Sequence, residues 1–202
     1  MYKPKNFSDK IFSMRGISPK IIEEHLKLYQ GYVTKCNEIT NALLDLTDED
    51  YKDSNASYSK VRELKVALSF VKAGMYLHEI YFGHLGGDGI ILNDNTLLLN
   101  QINKDFGSYG AWLTDFKATG KLARGWAHLV WEAKEQRLCN VLGDAHNSYA
   151  YWGATPILSM DVYEHAYFMD YGVNRVGYID AFFDNLDWPV VENNFLQVST
   201  NK

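Results

Sequence analysis

Apolar residues in the first part of the chain recur at helical spacing. In "SPKIIEEHLKLYQGYVTKCNEITNALL" the positions Ile21, His25, Leu28, Tyr29, Tyr32 and Cys36 fall on one face of a helix. Ser18 suits an N-cap, and Pro19 suits the first helical position, where its missing N–H costs nothing. The polar stretch "LTDEDYKDSNASYSK" reads as a connection. A second long helix follows in "KVRELKVALSFVKAGMYLHEIYFGHL", with Ala67, Phe70, Gly74, Leu77, His78 and Tyr81 on its inner stripe and "GGDG" as its stop. Two apolar faces joined by a loop predict an antiparallel helical hairpin.

The pattern changes after residue 88. "NQINKDFGSYGAWLTDFKAT" predicts one helix or two short ones. "RGWAHLVWEAKEQRLCNVLGDAH" predicts two strands around the turn "EAKEQ", and "ATPILSMDV" a third. "EHAYFMDYG" begins a helix and "VGYIDAFFDNLDW" is another. The expected class is therefore α+β: a helical hairpin lobe over residues 1–88, then an α/β lobe over residues 89–202 with a small three-stranded antiparallel sheet.

Composition narrows the function classes. Of the 202 residues, 47% are hydrophobic and 14% aromatic, which suits a packed core and not a disordered chain. The net charge of -5 and the lack of any Lys/Arg cluster argue against nucleic acid as partner. No run is long enough to span a membrane, and "MYKPKNFSDK" has no signal-peptide core. Cys36 and Cys139 fit no CxxC pattern and read as buried thiols of a reducing, cytoplasmic compartment.

The candidate chemistry lies in "SMDVYEHAYFMDYG". Asp161 and His165 sit together in an aromatic-rich stretch, where burying either alone is costly. His25 and His78 face each other across the hairpin. Three imidazoles and one carboxylate from four elements form an N/O donor set, which suits iron, manganese or zinc. The set lacks the H-E-x-x-H spacing of a zinc protease and the cysteines of a structural zinc site.

Several motifs together resemble the iron/manganese superoxide dismutase family. "DVYEHAYFMDY" is similar to its D-V-W-E-H-A-Y-Y-x-D-Y signature, and "AGMYLHEIYF" to its second-helix ligand motif. "ISPKIIEEHLKLYQGYVTKCN", "FGSY…RGWAHLVWE" and "NRVGYIDAFFDNLDW" are similar to three further motifs, in the same order. The resemblance implies one iron or manganese ion per subunit, held by His25, His78, Asp161 and His165. It also implies superoxide as substrate and a homodimer, or a tetramer built from it. Tyr32 and His146 are the implied catalytic groups beside the ion and its bound solvent, with Gly74 leaving room for His146. Trp126 is an implied pocket wall, Arg175 a residue near the channel mouth, and Glu164 a bridge to the partner subunit. Tyr81, Phe82, Trp126, Tyr163 and Phe168 form an implied aromatic shell.

Some positions depart from the family pattern. Tyr163 replaces a tryptophan, Phe168 replaces a tyrosine, Tyr29 stands where a channel histidine is missing, and His128 stands where a tryptophan or a small residue is common. One residue is also lost between the first ligand and Tyr32. Positions seven apart differ by about 20° around a helix, and positions eight apart by about 80°. His25, not Glu24, is therefore expected to share a face with Tyr32 in a regular helix, with Tyr29 filling the space of the missing histidine. Two other readings stay open at this point. One is a metal-poor protein of the same fold with a structural or binding role. The other is an iron site for different oxygen chemistry, which the bulky aromatics disfavour.

Overall fold

A computed structural model describes residues 1–91, 93, 95–149 and 152–199. After a short 3₁₀ turn at Asp9–Ser13, the chain forms α1 (Pro19–Leu44), α2 (Asp48–Lys52) and α3 (Lys60–Gly83). The second half holds α4 (Leu97–Phe106), α5 (Tyr109–Leu122), β1 (Trp126–Glu132), β2 (Arg137–Gly143), β3 (Ala154–Asp161), α6 (Glu164–Tyr171), α7 (Arg175–Asp184) and α8 (Trp188–Ser199). No helix among the described residues is long and apolar enough to cross a membrane.

Helix α1 starts where its caps dictate: the Ser18 hydroxyl accepts from the Ile21 amide at 3.3 Å, and Pro19 follows. Its buried stripe is Ile21, Ile22, His25, Tyr29, Val33 and Cys36. Leu28, expected on that stripe, is instead 40% exposed. It lies about 60° around the helix from His25, on the opposite margin of the stripe from the buried Ile22 and Val33. Helix α3 runs antiparallel against α1, so that His25 near the start of one meets His78 near the end of the other. α3 stops at Gly83, with His84 as its C-cap, before the glycine run that was expected to end it.

The sheet is antiparallel in the order β2-β1-β3. Its register sets Trp126 opposite both Gly143 and Asp161, so the start of the central strand meets the acid at the end of β3. Pro156 sits on β3, an edge strand that tolerates a missing donor. Helices α4 and α5 cover β2, while α3 and α8 pack against β3. The C-terminal helix was not foreseen as a separate element. The "VGYIDAFFDNLDW" helix ends at Asp184, and a turn at Asn185 restarts the chain as α8. Asn185 fixes this turn by donating to the Arg15 and Ala181 carbonyls at 2.7 Å each.

His84 is fully buried and accepts the Ser159 amide hydrogen at Nε2 (3.2 Å). Burial pushes its pKa down to about 3. Above pH 6.5 the ring is neutral in folded and unfolded chains alike. Below it the unfolded chain takes a proton that the native site refuses, so stability falls as pH drops from about 6.5 toward 3. His84→Gln is expected to narrow the difference in unfolding free energy between pH 7 and pH 5 by about 2 kcal/mol. Denaturant titration at the two pH values measures it, and an unchanged difference would refute the assignment.

Candidate metal centre

Four side chains from four elements converge in the interior: His25 from α1, His78 from α3, Asp161 from the end of β3 and His165 from α6. One donor atom from each lies within 4.8 Å of all the others. Asp161 is the hub. Its Oδ1 accepts from the Tyr163 amide at 2.9 Å. Its Oδ2 faces His25 Nε2 at 3.2 Å, His165 Nε2 at 3.1 Å and His78 Nε2 at 3.5 Å. His25, His78 and Asp161 are buried, and the His165 side chain keeps 27% exposure.

The protonation pattern identifies what the cluster wants. His78 Nδ1 lies 2.6 Å from the Gly74 carbonyl, an acceptor only, so Nδ1 carries the hydrogen. Burial drives the His78 pKa down to about 3, so the ring is neutral and Nε2 holds a lone pair. That lone pair is buried, makes no hydrogen bond and faces a carboxylate oxygen. Two electron-rich atoms turned toward each other in a dry interior call for a cation between them. Donors about 2.1 Å from one ion lie about 3–4 Å apart, and the three separations from Asp161 Oδ2 to the histidines fall in that range. Burial also lowers the His25 pKa. It opposes ionisation of Asp161 as well, but the His165 and His25 rings outweigh it and hold the carboxyl far below the usual carboxylate range. For His165 burial is again overruled, by the Asp161 charge, and its pKa rises.

The helix register resolves as expected from geometry. α1 is regular α-helix from His25 to Tyr32. His25 lies in the cluster, while Glu24 is on the surface in ion pairs with Lys20 and Lys27. Tyr32 and His146 meet beside the cluster, Tyr32 Oη to His146 Nε2 at 2.6 Å. Trp126 Nε1 donates to His146 Nδ1 at 3.0 Å. An indole N–H can only donate, so His146 Nδ1 is the acceptor and the neutral ring carries its hydrogen on Nε2. Burial lowers the His146 pKa to about 4 and raises that of Tyr32 to about 12, so both are neutral near pH 7. His146 therefore donates to Tyr32, whose own hydroxyl proton is left free to point elsewhere. Gly74 makes this contact possible: a Cβ there would stand 3.1 Å from both His146 Cδ2 and Tyr32 Cδ1.

The remaining expected residues are dispersed around this core. Tyr163 stacks on His165 with ring centres 5.3 Å apart, and Tyr81 and Phe82 pack on His25. Tyr29 is buried beside Phe82 and donates to Glu79 at 3.1 Å, while accepting the Lys5 amide. Arg175 is turned to protein groups, donating to the Ala123 carbonyl at 2.7 Å and to Tyr167 Oη at 3.1 Å. Glu164 is exposed, one residue before His165. Phe168 does not wall the pocket of a single chain, since it turns outward with 48% exposure. Cys36 is a buried free thiol, but Cys139 is only half-buried.

Sequence reasoning missed Tyr178. Its hydroxyl donates to the Asp161 main-chain carbonyl at 2.6 Å and meets Tyr81 Oη at 3.1 Å. This pins the backbone that carries the acid. A tyrosine on the apolar face of its helix, beside Ile179, Ala181 and Phe182 in "GYIDAFF", was the available signal.

Comparison with known proteins agrees with this centre. Residues 94–194 match the profile of the C-terminal domain of iron/manganese superoxide dismutases. The chain is 41% identical to the iron superoxide dismutase of Aquifex pyrophilus over 196 residues, covering 96% of this chain and 87% of that protein. It is 33% identical over 199 residues to the iron superoxide dismutase of Cupriavidus metallidurans, covering 96% of each. It is also 35% identical over 179 residues to the manganese superoxide dismutase of Haloarcula marismortui, covering 86% and 84%. With these relatives spanning nearly the whole chain and the four-donor cluster at its centre, the chain belongs to the iron/manganese superoxide dismutase family.

Proposed function

We propose that this chain is a superoxide dismutase with one iron or manganese ion held by His25, His78, Asp161 and His165. The observation that carries the reading is the buried His78 lone pair facing Asp161 among three convergent imidazoles. The reaction consumes two superoxide anions and two protons and yields one dioxygen and one hydrogen peroxide. When bound, iron or manganese supplies a one-electron carrier between the 2+ and 3+ states, which zinc does not. Three neutral imidazoles and a single carboxylate offset only one unit of a cation's charge, so the pocket attracts an anion.

The residues of the chain manage the protons. His146 holds its hydrogen on Nε2 and gives it to the Tyr32 oxygen as a hydrogen bond, which orients the Tyr32 hydroxyl proton toward the pocket. Tyr32 is thus the group placed to deliver a proton to reduced substrate. Tyr81, Phe82, Trp126 and Tyr163 keep bulk water from the donors, so these hydrogen bonds act in a low dielectric. The intact donor set speaks against a metal-free structural role.

A reconstitution experiment tests this reading. Protein stripped of metal and reloaded separately with iron, manganese and zinc is assayed for superoxide consumption, with metal content measured in parallel. Activity with iron or manganese and none with zinc is expected. Inactivity at full occupancy with either redox metal would overturn it.

Two subunits would meet at α6 and the start of α7. Phe168, Met169, Val173 and Val176 are all exposed there, an apolar patch beside Glu164 and the least buried donor, His165. Across a two-fold axis one carboxylate, Glu164, can then reach the His165 region of the second copy. Glu164→Ala is expected to weaken self-association at least about tenfold and to lower metal retention with it. Sedimentation across a dilution series with metal analysis measures both. An unchanged dimer with full metal would count against the bridge.

A further inference from the structure

We propose that a cavity between α3 and the sheet binds a small single-ring aromatic alcohol, with its hydroxyl on His128. The cavity measures about 230 Å³ and, among the described residues, is lined by Leu77 and Ile80 of α3 and by Val130 and Val141 of the sheet, with His128 and His146. A dry apolar cavity of about 150 Å³ already admits benzene, so a substituted ring fits here. The lining also includes Tyr76 and Ser148, whose hydroxyl is engaged by the Ala145 amide and carbonyl, and is for the most part apolar, which disfavours charged molecules.

Of the two lining imidazoles, one nitrogen is left over for a ligand. His146 has both nitrogens engaged, by Trp126 and Tyr32. His128 is 8% exposed and pairs through Nδ1 with Ser159 Oγ at 2.9 Å. Its Nε2 makes no hydrogen bond among the described residues, and the ring lines the cavity. The Nδ1 partner is a hydroxyl, which can donate or accept, so either tautomer of His128 is allowed. A ligand hydroxyl can also donate or accept and so satisfies Nε2 in both cases. A carbonyl, which only accepts, or a charged ammonium, which only donates, would serve only one.

Occupancy would be felt at the reaction centre. The ring in the cavity touches His146, which holds Tyr32, and Trp126 stacks on His128 with ring centres 5.8 Å apart. A bound ligand is therefore expected to slow superoxide turnover, a consequence that rests on the function proposed above. Binding itself does not rest on it.

Calorimetric or ligand-observed NMR titration of the metal-loaded protein with phenol and with benzene tests the site. Saturable phenol binding is expected, about tenfold tighter than benzene, the contribution of one hydrogen bond. His128→Phe is expected to abolish that preference. Ala73→Leu, which adds bulk to the cavity from α3 and leaves the His128 side chain unaltered, is expected to weaken both ligands. The absence of saturable phenol binding would overturn the proposal. So would phenol affinity unchanged in both variants, which would place phenol at the metal instead. Equal binding of phenol and benzene to the unaltered protein would overturn the role of His128.

Discussion

His78→Ala is expected to lose stoichiometric iron or manganese, and superoxide consumption with it, while the helical hairpin stays folded. The loss should exceed the roughly 10–100-fold drop that follows removal of a mere supporting hydrogen bond near a metal. The substitution deletes the one donor whose lone pair is already fixed, by Nδ1–H on the Gly74 carbonyl. It leaves Met75, Leu77, Tyr81 and Phe82 of α3 in the core. The cost to the fold is that of a buried ring exchanged for a methyl, partly relieved because an electron-rich atom no longer faces Asp161 in the metal-free chain. Elemental analysis gives the first readout and far-ultraviolet circular dichroism the second. One ion per subunit in the variant would remove His78 from the ligand set. Loss of the helical signal would mean that metal content no longer reports on ligation.

How much of this centre was legible follows from what each residue needs from its surroundings. His25, His78, Asp161 and His165 stood out because polar groups on apolar stripes demand partners, and both helical phase and strand ends are visible in a sequence. The same phase argument separated His25 from Glu24, since a seven-residue step keeps a face and an eight-residue step leaves it. It misplaced Leu28, because an apolar residue on the margin of a stripe can be covered or exposed, and only the packing partner decides. The break between α7 and α8 was hidden for a related reason. It depends on Asn185 reaching the carbonyl of Arg15, 170 residues away. His84, His128 and Tyr178 serve groups on other elements, namely the Ser159 amide, the Ser159 hydroxyl and the Asp161 carbonyl. No periodicity in a single segment can announce such partners. Phe168 and Glu164 face outward on one chain, so nothing within that chain shows the roles expected of them.

Replacing His146 separates proton delivery from metal binding. The ring bonds no donor of the cluster, so His146→Ala is expected to keep full metal content. It should nevertheless lower turnover by about 100-fold, the lower range for a lost proton-handling group. The reason lies in the order of the hydrogen bonds. Trp126 can only donate, so His146 must accept at Nδ1 and donate at Nε2, and Tyr32 Oη at 2.6 Å must accept. With alanine in place, the Tyr32 hydroxyl loses its fixed acceptor role and its proton is no longer aimed at the pocket. The Trp126 N–H is also left without its partner, at a buried site where an unpaired donor is costly. Glutamine offers an oxygen to Trp126 and an N–H to Tyr32, repeating the polarity of the ring at similar reach. His146→Gln is therefore expected to recover most of the lost rate, whereas His146→Leu, which fills space without polarity, is not. Turnover under saturating superoxide, measured on samples matched for metal content, tests the ordering. Equal rates for the glutamine and leucine variants would show that His146 acts through its bulk alone, and Tyr32 would then need no oriented donor.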